Sequence, residues 1–235
     1  MPPLEPAVSR RVALAASLGL TAGAALALPS CTKSEDAEDV SATEDLMREH
    51  GVLRRILVVY RETAPLVAQG GAGLDIAALG EAAELFRAFG EEYHERKLEE
   101  AHIFPAVRKA GGEAAALVDT LLAQHQRGRE TTAWIKARCA TGKIATGDAE
   151  PLARALTGFA RMYEAHTAYE DTIVFQAWRK ALSPKALDEA GDRFEAIEKA
   201  QFKGDGFDRA VVQVARIEQR LGLHDLARFT AGPPG

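Results

Sequence analysis

Apolar residues return every three or four positions from Thr43 to Leu221, the period of a helix face rather than of a strand. The first predicted helix carries Leu46, Leu53, Leu57 and Tyr60 on that face and stops near Pro65, before the loop Gly70-Gly71-Ala72-Gly73. A second, capped by Asp75, takes Leu79, Phe86, Phe89 and Leu98 to about Lys109, with Pro105 placed to kink its last turns. Gly111-Gly112 separates it from a third, from about Glu113 to Ala140, which Thr141-Gly142-Lys143 closes. A fourth starts near Asp148, tolerates Pro151 in its first turn and runs to about Leu182, where Pro184 stops it. Beyond it lie a shorter helix from Pro184 to Phe202, a Lys203-Gly204-Asp205-Gly206 turn and a last helix to Leu221.

Four long helices with short connections predict an all-α protein, an up-down-up-down four-helix bundle over 43–183. The segment 184–235 is a helical extension that packs on the outside of the bundle or lengthens it. No internal repeat is read from the sequence. Ahead of the bundle, Ser9-Arg10-Arg11 precedes a run without charge from Val12 to Leu28, the form of an export signal. The paired arginines resemble a twin-arginine signal, and Leu28-Pro29-Ser30-Cys31 resembles a lipoprotein box. The expectation is a signal over 1–31, a polar acidic tether over 32–42, and a periplasmic or cell-envelope protein. Membrane attachment runs through a lipid on Cys31 or an uncleaved N-terminus; simple cleavage near Ala25-Leu26-Ala27 is the rival.

Composition narrows the field. Hydrophobic residues make up 47% of the 235, enough for a core, while aromatics are only 6%, which suits helices better than sheet. The formal net charge is −5 with basic and acidic residues mixed, so no basic stripe predicts a nucleic-acid partner. Two cysteines, Cys31 and Cys139, make no disulfide framework.

The chemistry lies in the histidines. Of 6, four fall one per long helix, at His50, His94, His125 and His166. His50 follows Leu46 by four and precedes Leu53 by three; His125 follows Leu121 and Leu122; His166 follows Phe159, Met162 and Tyr163. These spacings turn the rings toward the core. A buried polar group without a partner costs about 1–3 kcal/mol, and a shared cation removes that cost for several rings together. Glu170, four residues after His166, shares its face, with Asp171 as second choice; Glu95, Glu99 and Glu100 are candidates on the second helix. Imidazoles with two carboxylates suit iron, and helix-borne carboxylates can bridge two metals.

At these residues the sequence resembles the hemerythrin-like family of cation-binding domains. The resemblance is carried by Arg48-Glu49-His50-Gly51-Val52-Leu53-Arg54, by Tyr93-His94-Glu95-Arg96-Lys97-Leu98-Glu99-Glu100-Ala101-His102-Ile103-Phe104-Pro105, by Gln124-His125-Gln126-Arg127-Gly128-Arg129-Glu130 and by His166-Thr167-Ala168-Tyr169-Glu170-Asp171. It implies a left-handed four-helix bundle holding two iron ions, oxo- or hydroxo-bridged, with dioxygen as ligand. It also implies His50, His94, Glu99, His125, His166 and Glu170 as the metal ligands.

Two departures from the family pattern matter. The family spaces the second-helix His and Glu four apart, but position 98 is Leu and the Glu is at 99. Five residues of α-helix turn Glu99 about 140° away from His94, so a π-bulge is predicted near Lys97; without it, Glu95 or His102 must serve. Arg129 stands where oxygen-carrying hemerythrins have a further histidine, which leaves one metal short of imidazole.

The remaining residues read as packing. Tyr93, Tyr163 and Tyr169 fill the core, as do Trp134 and Trp178. Arg127 and Arg129 form salt bridges, Cys139 is a lone thiol, and His224 needs no metal. Functionally, the sequence predicts a di-iron protein that binds dioxygen or nitric oxide for sensing, storage or delivery. The alternative is a di-iron enzyme of ferroxidase or peroxidase type. Ferritin-like sites need Glu-x-x-His on two helices, whereas Glu91-x-x-His94 and Glu99-x-x-His102 both sit on the second. A metal-free interaction module is the third reading.

Overall fold

Ser41 opens the first helix by accepting a hydrogen bond from the Glu44 amide at 3.3 Å, and α1 runs Ala42–Ala68. The computed structural model describes residues 40–234. The export signal over 1–31, with Cys31, and the tether up to residue 39 lie outside the described residues. No helix among the described residues is long and apolar enough to cross a membrane.

The second rod, α2 (76–110), joins three stretches: α-helical Ile76–Leu85, π-helical Phe86–Ile103 and α-helical Phe104–Ala110. Asp75 caps it, accepting from the Ala78 amide at 3.0 Å. Next come α3 (Gly112–Cys139) and α4 (149–181), itself divided into Ala149–Tyr169, a π turn Glu170–Val174 and Phe175–Ala181. Two further helices, α5 (Pro184–Phe202) and α6 (Gly206–Arg220), complete an all-helical chain with no strand among the described residues.

Sequence and structure differ at two prolines. Pro65 lies inside α1, which continues to Ala68. So near the end, proline removes one amide bond only, and fully buried Val67 anchors the last turn. Pro105 sits just where α2 leaves its π stretch: the Phe104 amide bonds back to the Glu99 carbonyl, five residues away. A residue with no N–H is tolerated where the hydrogen-bond register is already changing.

α1 packs most closely on α4, and α2 on α3. Tyr60, Phe86, Phe159 and Tyr163 interlock edge to face between α1, α2 and α4, with centroids 4.6–5.4 Å apart. Helix α6 lies on α1 and the first stretch of α2. Arg55 pairs with Glu218 at 2.8 Å, and Arg220 pairs with Asp75 at 2.9 Å.

The packing makes two outcomes measurable. A methyl added at Gly128 would overlap the buried Tyr163 hydroxyl, although helix propensity alone favours alanine by about 1 kcal/mol. Gly128→Ala therefore loses about 1–3 kcal/mol in chemical denaturation through overpacking; a gain in stability would show that Tyr163 yields freely. Burial pushes the Cys139 thiol up to about 11. In the folded protein it should resist alkylation at pH 8 and react only on unfolding, as mass spectrometry after timed iodoacetamide exposure would show.

Candidate metal centre

Each of the four bundle helices turns one imidazole inward, and the rings meet in pairs. His50 and His94 approach through their Nε2 atoms at 3.0 Å, His125 and His166 at 3.1 Å. All four are buried, at 3% exposure or less. Every outer nitrogen has its own acceptor: His50 Nδ1 faces Asp171 at 2.7 Å, His94 faces Glu49 at 2.7 Å, His125 faces Glu100 at 2.9 Å and His166 faces Gln124 at 2.8 Å. A neutral ring carries one proton, and the outer acceptor claims it. With both rings of a pair neutral, the inner nitrogens present lone pairs to one another, which a metal cation or a second proton on one ring relieves. Outer partners of this kind fix the tautomer and orientation of metal-bound histidines.

Two carboxylates close the ring of donors. Glu99 sends one oxygen to His94 Nε2 and the other to His125 Nε2, both at 3.3 Å. Glu170 Oε2 lies 3.0 Å from His166 Nε2 and 3.5 Å from His50 Nε2. All four oxygens of Glu99 and Glu170 are fully buried without a hydrogen-bond partner. Donor atoms of Glu99, His125, His166 and Glu170 lie within 4.8 Å of one another, as do those of His50, His94 and Glu99. The structure thus brings all six sequence-derived candidates to one interior point. The donor set fits cations of the kind that imidazole and carboxylate hold together.

The electrostatics show the same strain. Burial drives the Glu170 carboxyl well up, and the neighbouring Glu99 charge adds to it. Burial acts likewise on Glu99, but His94 and His125 outweigh it and hold that carboxyl well down. For His94 and His125 burial disfavours the charged ring, yet the surrounding glutamates raise both. Burial, with the charge of His125, holds His166 down to about 3. Two adjacent carboxylates cannot both stay ionised in a dry interior unless positive charge joins them.

The π stretch of α2 spans Lys97 and is what returns Glu99 to the face of His94. It is longer than the single bulge predicted from the sequence. The second, Glu170–Val174, had no forewarning. Of the alternatives weighed for Glu99, Glu95 lies 3.9 Å from the outer nitrogen of His125, where Glu95, Glu100 and His125 bring donor atoms within 4.8 Å of one another. Glu95 accepts from Tyr163 at 2.7 Å and from Arg129 at 3.1 Å. His102 packs tilted against Phe194, with ring centroids 5.8 Å apart.

The tyrosines read as packing also divide. Tyr93 and Tyr163 are buried and donate to Glu49 at 2.9 Å and to Glu95, whereas Tyr169 is 52% exposed. Asp171, the second choice on α4, instead holds the outer nitrogen of His50 and is itself held by Arg54.

Sequence reasoning also missed a repeat. Glu99-Glu100-Ala101-His102-Ile103-Phe104-Pro105-Ala106-Val107-Arg108-Lys109-Ala110 returns as Glu170-Asp171-Thr172-Ile173-Val174-Phe175-Gln176-Ala177-Trp178-Arg179-Lys180-Ala181. In each copy a glutamate enters the centre and the next acid holds a histidine of another helix. In each, the phenylalanine five residues on stacks over that same histidine: Phe104 on His125 at 5.5 Å, Phe175 on His50 at 5.3 Å. Each phenylalanine amide bonds back to its glutamate carbonyl. Glu49-His50 on α1 and Gln124-His125 on α3 correspond in the same way, since the residue before each histidine holds the ring on the following helix. The signal lay in aligning the second and fourth helices on their glutamates rather than on their histidines.

Comparison with known proteins agrees with this geometry. Residues 41–178 match the hemerythrin HHE cation binding domain. Proteins of Mycobacterium bovis and Mycobacterium tuberculosis, each described only as an uncharacterized protein, are 38% identical over 240 residues, covering 95% of this chain and 91% of their own length. No solved structure matches the chain. The paired histidines, the two carboxylates without hydrogen-bond partners and a family match over most of the bundle lead to one conclusion: the chain belongs to the hemerythrin HHE cation-binding family.

Proposed function

We propose that the protein holds two iron ions between its histidine pairs and binds dioxygen or nitric oxide there, for sensing, storage or delivery. The observation that carries this reading is the convergence of four imidazole Nε2 atoms and four unpartnered carboxylate oxygens on one dry point. In this reading His50 and His94 would hold one ion and His125 and His166 the other, with Glu99 and Glu170 within reach of both pairs. Such a set leaves each ion with fewer donors than six-coordinate iron takes, so a small exogenous ligand has room to bind.

Ferrous iron there would supply the electrons and the open position that a diatomic ligand needs. The chain's residues do the rest. Asp171, Glu49, Glu100 and Gln124 keep the protons on the outer nitrogens, so that the inner ones remain donors. Phe104 and Phe175 cover His125 and His50 and keep water from those rings. Arg129 pairs with Glu95 and Glu100, at 3.1 and 2.8 Å, and so adds positive charge beside the centre without entering it.

Arg129 is also the observation that favours the second reading. With no imidazole at that position the centre is poorer in nitrogen than an oxygen carrier's, which suits turnover of peroxide or oxidation of iron. Export to the periplasm or cell envelope is part of the proposal and rests on the N-terminal sequence alone.

Metal analysis of the purified protein should find two irons per chain. His166→Ala should lose metal, whereas His224→Ala should keep it, because His224 lies beyond the bundle on the exposed tail. Full iron in the first variant would remove the assignment. Reduced protein exposed to oxygen should show an absorption change that reverses when oxygen is withdrawn; rapid consumption of added peroxide instead would select the enzyme.

A further inference from the structure

The repeat makes the two halves of the centre nearly alike, so the places where they differ are informative. Glu49 and Gln124 occupy corresponding positions, each holding the outer nitrogen of a histidine on the next helix. Glu49 is an acid, 1% exposed, and receives a second hydrogen bond from Tyr93 at 2.9 Å. Gln124 is a neutral amide, half-buried, and lines an apolar pocket of about 180 Å³ with Leu117, Leu121, His166 and Tyr169.

Helix α5 and the turn after it account for the difference in cover. Phe202, the last residue of α5, sets its ring edge-on against Tyr93 at 5.2 Å and lies 6.0 Å from Phe89. Gln201 accepts from Lys97 Nζ at 2.5 Å, so α5 grips the outer side of the same π stretch that carries His94 and Glu99. The turn after α5 is built for that ring: Lys203 takes a left-handed conformation (φ 55°), and Gly206 leaves no room for a side chain beneath Phe202. Higher on α5, Gly191 and Phe194 close a crevice over Glu49 that has no space for a water. Nothing equivalent covers Gln124 among the described residues.

We propose that α5 and the turn that follows it make the two metal positions unequal: they lock the ion held by His50 and His94, and leave the ion held by His125 and His166 free to exchange through the pocket at Gln124. A carboxylate kept dry and doubly hydrogen-bonded makes His94 a stronger and better-oriented donor than the amide makes His166. Water reaching Glu49 would weaken that hold, and α5 prevents it. The proposal rests on the metal reading above, with the four histidines as ligands.

The test is metal release. Protein loaded anaerobically with ferrous iron alone is mixed with a ferrous chelator, and release is followed by absorbance. The native protein should give two phases of equal amplitude, separated by roughly tenfold or more in rate. Phe202→Ala should speed the slow phase alone, and Phe202→Leu should largely restore it. Leu117→Trp, which fills the pocket, should slow the fast phase alone.

Val214→Ala opens a cavity in α6, the helix packed on the first stretch of α2, and controls for lost stability. Both its phases should match the native protein's. A single phase in the native protein overturns the proposal, as does equal acceleration of both phases by Phe202→Ala and Val214→Ala. A native protein that holds no iron overturns the metal reading and this inference together, whereas two irons released alike overturns this inference only.

Discussion

Four imidazole Nε2 atoms and two carboxylates gathered at one buried point are the constraint around which this chain is organised. Each outer nitrogen is tied to an acceptor, so no ring can turn its proton inward without breaking a buried hydrogen bond. Glu99 and Glu170 add negative charge to the same point. Such an arrangement calls for positive charge, and its apolar surroundings make the demand stronger, since electrostatic interactions grow as water is excluded. The aromatic cluster of Tyr60, Phe86, Phe159 and Tyr163 and the stacked Phe104 and Phe175 supply those surroundings.

The backbone yields where the centre requires it. Both carboxylate-bearing helices depart from α geometry around their glutamates, over Phe86–Ile103 in α2 and Glu170–Val174 in α4, and in both the phenylalanine amide five residues on bonds back to the glutamate carbonyl. A π turn widens the helix and shifts the phase of the residues beyond it. It lets neighbouring acids serve two targets, Glu99 the centre and Glu100 the His125 ring, Glu170 the centre and Asp171 the His50 ring. Such departures are less regular than α-helix and need support from packing. On α2 that support comes from α5, through Phe202 and Gln201.

Much of this was legible in the sequence, for identifiable reasons. The helices were readable because their apolar faces keep a helical period, and Asp75 and the Gly111-Gly112 break mark their ends. The inward rings of His50, His125 and His166 were readable because those histidines share spacing with buried leucines or aromatics. The irregularity in α2 was readable because Glu99 lies one residue too far from His94 for an α-helix. The π turn of α4 was not, because His166 and Glu170 keep ordinary spacing and the extra width falls after them. The outer partners were hidden for another reason: Glu49, Glu100 and Gln124 act across helices, and spacing along one helix says nothing about contacts between two. The roles of Tyr93 and Tyr163 were missed similarly, since a phenol that fills a core and one that donates from it share the same periodicity.

The internal duplication has a consequence for assembly. Helices α1 and α2 bring one pair of rings, α3 and α4 the other, but the acid holding His50 comes from α4 and the phenylalanine over His125 comes from α2. Neither half of the chain contains a finished binding place, because each borrows its orienting groups from the other. The two halves stand to each other as the subunits of a symmetric dimer would, joined here by the short link between α2 and α3. That link also removes the need for identity: one half carries a glutamine and a pocket where the other carries its glutamate and a cover.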